Sequence, residues 1–110
     1  MRKELRLKKA RDFGKVFREG RRYFSPHFAL YVRKNSLSVA RLGVSISKAH
    51  FRLATRRNRL RRVAKALFQE KIIPDCKGKD FVLKSRRRCN AENFNSVLQE
   101  LKNFLLGLKR

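Results

Sequence analysis

The segment 56–68 carries two patterns at once, and together they restrict what the chain can fold into. Six of its first ten residues are Lys or Arg. Apolar residues nevertheless recur at the three- and four-residue spacing of one helix face: Leu60, Val63, Ala64, Leu67 and Phe68. The segment is therefore predicted to be a helix that packs on a core with one side and presents a row of cationic donors on the other.

The polar residues of this basic helix are arranged in a definite way around the apolar stripe. Opposite the stripe lie Asn58, Arg61, Arg62 and Lys65, with Arg59 on one flank. Arg56 and Arg57 project toward the stripe one turn before Leu60, so we place them at the edge of the core. A solvated helix face usually mixes charges of both signs, and this one does not. Because the guanidinium fork can grip a phosphate with two hydrogen bonds or stack on a base, the helix is predicted to bind a polyanion.

The charge of the whole chain supports this prediction. The chain has 31 Lys and Arg against 8 Asp and Glu, a formal net charge of +23, and no acidic residue lies between Glu19 and Glu70. Intramolecular ion pairs therefore cannot neutralise the middle of the chain, and an external polyanion must do so. An anionic membrane is the weaker candidate, because no apolar run approaches the ~20 residues that span a bilayer and no apolar signal segment opens the chain.

Two cysteines bear on the compartment. Cys76 and Cys89 are too far apart for a Cys-x-x-Cys metal site. Two cysteines without a secretory signal are more often reduced thiols than a disulfide, so we predict a cytoplasmic protein without a membrane partner.

Periodicity along the chain predicts a single domain, residues 1–110, in which helices cover one face of a sheet. Residues 1–8 are predicted to form a flexible basic arm. The predicted elements are a helix at 9–19, a strand at 27–33, one or two strands within 37–47, the basic helix to about residue 71, a strand at 80–85 and a last helix capped by Asn90.

The predicted strands have two unlike faces. In the strand at 27–33, Ala29 and Tyr31 share the face opposite to the apolar one. In the next strand, Gly43 and Ser45 form a small polar face. Such a face either admits a ligand or receives bulky side chains from a helix.

No set of residues in the sequence is arranged for catalysis by the protein alone. His27 and His50 stand apart from any nucleophile, and Asp75 and Asp80 flank a loop whose lysines would repel a cation. Binding is therefore the predicted activity. A helix-turn-helix that reads DNA would need a second helix just before the basic one, where strand pattern occurs instead. RNA is the better partner, because Phe13, Phe17 and Tyr31 offer stacking surfaces.

Several segments in the right order resemble the protein subunit of bacterial ribonuclease P, the ribonucleoprotein that matures tRNA 5′ ends. They are Asp12-Phe13 with Val16-Phe17 in the first helix, Phe28–Tyr31 in the first strand, Arg41–Lys48 leading into the basic helix, the Arg57-Asn58-Arg59-Leu60-Arg61-Arg62 signature, and Asp80–Arg86 in the last strand. The resemblance implies an αβββαβα sandwich with a left-handed βαβ crossover, like the second domain of ribosomal protein S5.

The resemblance also implies partners and site residues. The RNA subunit would carry out Mg²⁺-dependent cleavage of precursor tRNA, and one protein monomer per RNA would bind that RNA and the 5′ leader, with no cofactor of its own. The leader cleft would be lined by Phe13, Phe17, Ala29, Tyr31, Asn58 and Arg61. The predicted RNA-binding residues are Lys48, Arg52, Arg56, Arg57, Asn58, Arg59, Arg61, Arg62 and Lys65.

Two other interpretations of the basic chain remain. One is a ribosomal-type protein that organises ribosomal RNA without a processing role. The other is a basic protein that adsorbs to DNA or membranes. Co-purification of one RNA of several hundred nucleotides that cleaves precursor tRNA would select the ribonuclease P interpretation over both of these.

Overall fold

Three helices and four strands follow one another in the computed structural model, which describes residues 6–7, 10–37, 39–72 and 77–107. Their bounds are α1 Ala10–Glu19, β1 Arg21–Phe24, β2 Phe28–Lys34, β3 Arg41–Ser45, α2 Ala54–Leu67, β4 Lys79–Ser85 and α3 Phe94–Gly107. A π-helical turn, Phe68–Ile72, extends α2, and a 3₁₀ turn, Ala91–Asn93, precedes α3. The predicted αβββαβα order is confirmed.

The four strands form one sheet in the order β1-β2-β4-β3. The pairs β1–β2 and β2–β4 are antiparallel, whereas β3 lies parallel to β4. Because parallel strands need a crossover, α2 connects β3 to β4 as the central unit of the domain. The left hand of this crossover stays a prediction.

The helices lie on both faces of the sheet, not on one as periodicity predicted. Leu30 and Phe81 belong to the larger buried cluster, which includes Leu60 of α2 and Leu101 of α3. Alternate positions point the other way, and Val82 packs with Val16 of α1 in a smaller cluster. The amphipathic patterns identified which residues are buried, but they did not identify the face on which each helix packs.

Strand β1 was not predicted, because all four of its residues are exposed and show no alternation. As a consequence Phe28–Tyr31 lies in the second strand, not the first. Asn90 does occupy the capping position of the 3₁₀ turn, but its side chain makes no capping hydrogen bond. The predicted capping position is therefore confirmed, whereas the capping hydrogen bond expected from the Asn90 side chain is absent.

The N-terminal segment is described only at Arg6 and Leu7. Leu7 is buried, and its N–H donates to the Leu42 carbonyl over 3.1 Å. This part of the predicted arm packs on β3, while residues 1–5 and 8 lie outside the described residues. Asp75 and Cys76 also lie outside them, and Cys89 is a free, half-buried thiol.

Candidate nucleic-acid interface

The outer face of α2 presents the basic residues that the sequence predicted there. Asn58, Arg59 and Arg62 are exposed, whereas Leu60 and Ala64 on the other side are buried. Arg61 donates from Nη1 to Asn58 Oδ1 over 3.0 Å, so these two side chains are oriented together. The first turn of α2 contains no acidic residue. Its surface therefore offers cations that no carboxylate on that turn neutralises.

Arg56 and Arg57 lie at the edge of the core, as predicted. Arg57 donates from Nη1 to the carbonyls of Phe51 and Arg52, over 2.8 and 2.9 Å. The Arg56 guanidinium lies 5.0 Å from the centre of the Phe94 ring. Both arginines thus hold the connector and α3 against α2, and only part of each side chain can face a ligand.

A concavity of about 430 Å³ lies where α2 begins. Its described lining includes Arg52, Arg56, Arg88 and the Cys89 thiol, and no acidic side chain is among those described residues. Burial raises the pKa of this thiol above its ordinary value, although the nearby Arg56 opposes the shift. A helix N-terminus with three arginines around it favours phosphate. Lys48, also predicted to bind RNA, is exposed in the connector before α2.

Arg88 was not among the site residues predicted from the sequence. The run Arg86-Arg87-Arg88 at the end of β4 was visible in the sequence. Its position beside α2 depends on the chain returning through β4, which local periodicity does not encode. A run of three arginines following a strand was the only available signal.

Three aromatic residues form a cluster on the α1 side of the sheet. The Phe17 and Tyr31 rings meet edge to face with centroids 5.0 Å apart, and Phe13 lies 6.4 Å from Phe17. All three rings are half-buried, so each packs and also keeps exposed surface. Lys84 Nζ lies 5.4 Å from the centre of the Phe17 ring. This aromatic cluster therefore combines stacking surface with a cation.

The small face of β3 receives a bulky side chain from α1, which is one of the two outcomes that the sequence left open. A Cβ built on Gly43 would lie 2.5 Å from Phe13 Cζ, far inside van der Waals contact. Glycine at this position therefore lets the Phe13 ring lie against the strand. Ala29 is only 2% exposed, so it can supply the base of the surface but little contact area.

The predicted cleft residues come from two sides of the sheet. Phe13, Phe17 and Tyr31 pack with the smaller buried cluster, together with α1. Asn58 and Arg61 lie on α2, whose buried residues belong to the larger cluster on the opposite face. The structure brings together the members within each group, and a single cleft that joins both groups stays a prediction.

The histidines are engaged in contacts within the protein. His27 Nδ1 lies 2.7 Å from a Glu100 carboxylate oxygen, and His50 Nδ1 lies 2.8 Å from Ser85 Oγ. Burial raises the pKa of Glu100, but hydrogen bonds from Ser25 and His27 outweigh it and hold the pKa below its ordinary value. In the described part of the chain, no three His, Cys, Asp or Glu residues are grouped as metal ligands. None of the described helices has the length and apolarity to cross a bilayer.

Comparison with known proteins gives one consistent result. The family model described as Ribonuclease P matches residues 1–109. The ribonuclease P protein component of Aliivibrio salmonicida is 38% identical over 104 residues, which cover 90% of this chain and 86% of the relative. That of Thermotoga maritima is 37% identical over 106 residues, covering 91% and 88%.

Solved structures of such proteins share the fold. The Staphylococcus aureus RNase P protein matches with a TM-score of 0.75 and 25% identity over 96% of this chain and 95% of its own. The Thermotoga maritima RNase P protein matches with a TM-score of 0.68 and 31% identity, over 93% and 96% of the two chains. These matches favour the ribonuclease P interpretation over the ribosomal-type one.

Proposed function

The chain belongs to the ribonuclease P protein family, and from that premise we propose that it holds the single-stranded 5′ leader of precursor tRNA while the RNA subunit cleaves. As a protein component it is a subunit of an endoribonuclease holoenzyme and has that RNA as partner.

The aromatic cluster is the observation that carries the proposal. Phe17 and Tyr31 are half-buried rings in contact with each other, and Lys84 lies beside them. Unpaired bases stack on such rings, while a neighbouring cation attracts the backbone. A base-paired segment hides its base faces, so this surface favours the unpaired leader over the folded body of tRNA.

We further propose that catalysis, together with the Mg²⁺ that it requires, resides in the RNA subunit. The histidines are engaged in hydrogen-bonded contacts with Glu100 and Ser85, which gives them structural roles. The basic face of α2 and the arginines near its start are suited to hold the RNA backbone. We also propose that one protein monomer binds each RNA subunit and that the holoenzyme acts in the cytoplasm.

Replacing Tyr31 by Ala tests the leader assignment. Removal of one stacking interaction of ~1 to 3 kcal/mol should weaken holoenzyme binding to precursor tRNA by roughly tenfold to a hundredfold. Binding of mature tRNA, which lacks the leader, should change little. Phe17→Ala should show the same pattern to a lesser degree. Equilibrium binding of both RNAs by each variant provides the measurement.

The matched control is Tyr31→Phe, which keeps the ring and should keep most of the leader preference. As a separate test that catalysis resides in the RNA subunit, the protein alone should leave precursor tRNA intact. Equal decreases in affinity for precursor and mature tRNA would contradict the leader assignment. So would a collapse of the melting temperature, since truncation of a fully buried ring costs ~3 to 5 kcal/mol of stability.

A further inference from the structure

A second basic concavity, of about 540 Å³, lies beside strand β1. We call it the edge-strand concavity, and its charged and aromatic lining consists of Glu19, Arg21, Tyr23, Arg33, Lys34 and Lys79. In the strand register Arg21 is opposite Val32, and Lys34 is opposite Lys79. Strand alternation therefore places Arg21, Tyr23, Lys34 and Lys79 on the sheet face opposite to the aromatic cluster. The other two, Arg33 and Glu19, pair with each other on the face of Tyr31, at the end of α1.

Among the described residues, the cations of this concavity outnumber its carboxylates. Lys34 and Lys79 are direct cross-strand partners, and like charges in that arrangement destabilise a sheet. Among the described lining residues one carboxylate occurs, that of Glu19, and it forms an ion pair with Arg33. Within the described residues neither lysine has a carboxylate partner. An anion bound here would relieve a repulsion that the fold otherwise retains.

The shape and composition of the surface indicate which anion fits. Tyr23 is 39% exposed beside the cations and offers both a ring and a hydroxyl group. Cations interleaved with exposed aromatic residues are typical of surfaces that follow a sugar-phosphate backbone. A small inorganic anion would use the lysines but leave the Tyr23 ring without a partner.

We propose that the edge-strand concavity binds a phosphate-bearing segment of the RNA subunit. This proposal rests on the proposed function. The RNA subunit is the chosen source because α2, with its basic outer face, packs on the same side of the sheet as Tyr23. The leader is assigned to the opposite side, where the aromatic cluster lies.

The test uses Lys34→Gln and Lys79→Gln in the full chain, singly and together. Affinity for the transcribed RNA subunit, without substrate, is measured over a range of salt concentrations. Each phosphate that the variant no longer binds should flatten the log-log salt dependence by roughly one unit. The melting temperature of the free single variants at low salt should rise, because the cross-strand repulsion is removed. Weaker binding from a more stable protein is the combination expected from an anion site.

Lys102→Gln on α3 removes one charge from a helix not assigned to RNA and serves as the matched control. The proposal is overturned if the lysine variants change the salt slope no more than this control does. It is also overturned if they weaken only precursor binding to the assembled holoenzyme. An unchanged slope together with an intact leader preference in the Tyr31 experiment would reject the edge-strand concavity alone. Absence of that leader preference in the starting protein would instead reject the proposed function.

Discussion

At the scale of single residues, Asp80 is the most deeply buried charge of the described residues, with 1% of its surface exposed. Arg41 donates to its carboxylate from Nε and Nη2 over 2.8 and 2.7 Å, and Asn35 donates over 2.7 Å. Burial raises the pKa of Asp80, but these hydrogen bonds outweigh burial and hold the pKa below the ordinary value of 3.8. The carboxylate therefore joins β4 to β3 and to the turn after β2.

Asp80→Asn should lower the free energy of unfolding by about 3 kcal/mol at pH 7, because Arg41 then loses its buried partner. The pKa of Asp80 is depressed in the folded state, so its stabilisation is complete above 3.8 and is lost as the pH falls through the lower folded-state value. The difference in unfolding free energy between the starting protein and Asp80→Asn should therefore shrink as the pH falls below 3.8. Urea unfolding between pH 7 and pH 3 measures it.

Asp12→Asn is the matched control, since Asp12 lies 3.9 Å from Arg41 and both side chains are partly exposed. It should cost less than about 1 kcal/mol. Equal destabilisation by both variants would mean that the bidentate geometry at Asp80 contributes nothing beyond charge.

From the sequence, Asp80 was placed at the start of the last strand, and its carboxylate was considered only as a cation ligand that nearby lysines would disfavour. Its partner Arg41 is 39 residues away and becomes adjacent through the parallel register of β3 on β4. Periodicity reports which residues share a face, but not which strand lies beside which. Contacts between side chains on strands distant in sequence therefore could not be predicted from periodicity, although Ala29 and Tyr31 were correctly placed on a common face.

At the scale of elements, α2 was predictable because its apolar stripe and its charges follow the same helical period. Leu60, Ala64 and Phe68 are buried as that period requires. Strand β1 was not predictable, because an edge strand with no buried side chain leaves no alternation in the sequence. The resemblance to a family implied the αβββαβα order. Only the strand register of the structure showed that β1 is the strand that the sequence pattern had missed, and that it pairs with β2.

The outer face of α2 should bind the RNA subunit chiefly through charge. Arg59→Ala with Arg62→Ala should weaken that binding and flatten the log-log salt dependence by roughly one unit for each phosphate no longer bound. Both residues are exposed and alanine favours helix, so the fold should keep its stability. Binding isotherms at several salt concentrations give the slope.

Arg59→Lys with Arg62→Lys retains both charges and is the matched control for this face. Its salt slope should equal that of the starting protein. Any decrease in affinity at constant slope then measures what the guanidinium fork adds over a point charge. If the alanine variant leaves the slope unchanged, the RNA interface lies elsewhere on the protein.

At the scale of the whole molecule, a net charge of +23 is carried by a domain with extents of 42 × 27 × 24 Å. Such a charge destabilises the compact state through self-repulsion. Some of these cations lie close together only in the folded state, at the face and start of α2 and in the edge-strand concavity, and there we expect anion sites that the unfolded chain lacks. Anions should consequently bind the folded state preferentially and stabilise it.

Sulfate or phosphate should therefore raise the melting temperature of the free protein well beyond chloride at equal ionic strength. The comparison is made at equal ionic strength because, at equal concentration, a divalent anion screens charges more strongly than chloride does. Occupancy of one site at a hundred times its Kd adds about 2.7 kcal/mol, which corresponds to roughly 10 °C for a domain of this size. Sulfate also strengthens apolar burial in any protein, but that effect grows steadily with concentration. A rise that begins at low concentration and then follows the logarithm of the anion concentration is the signature of sites, and equal melting temperatures in sulfate and chloride would show that the folded surface holds none.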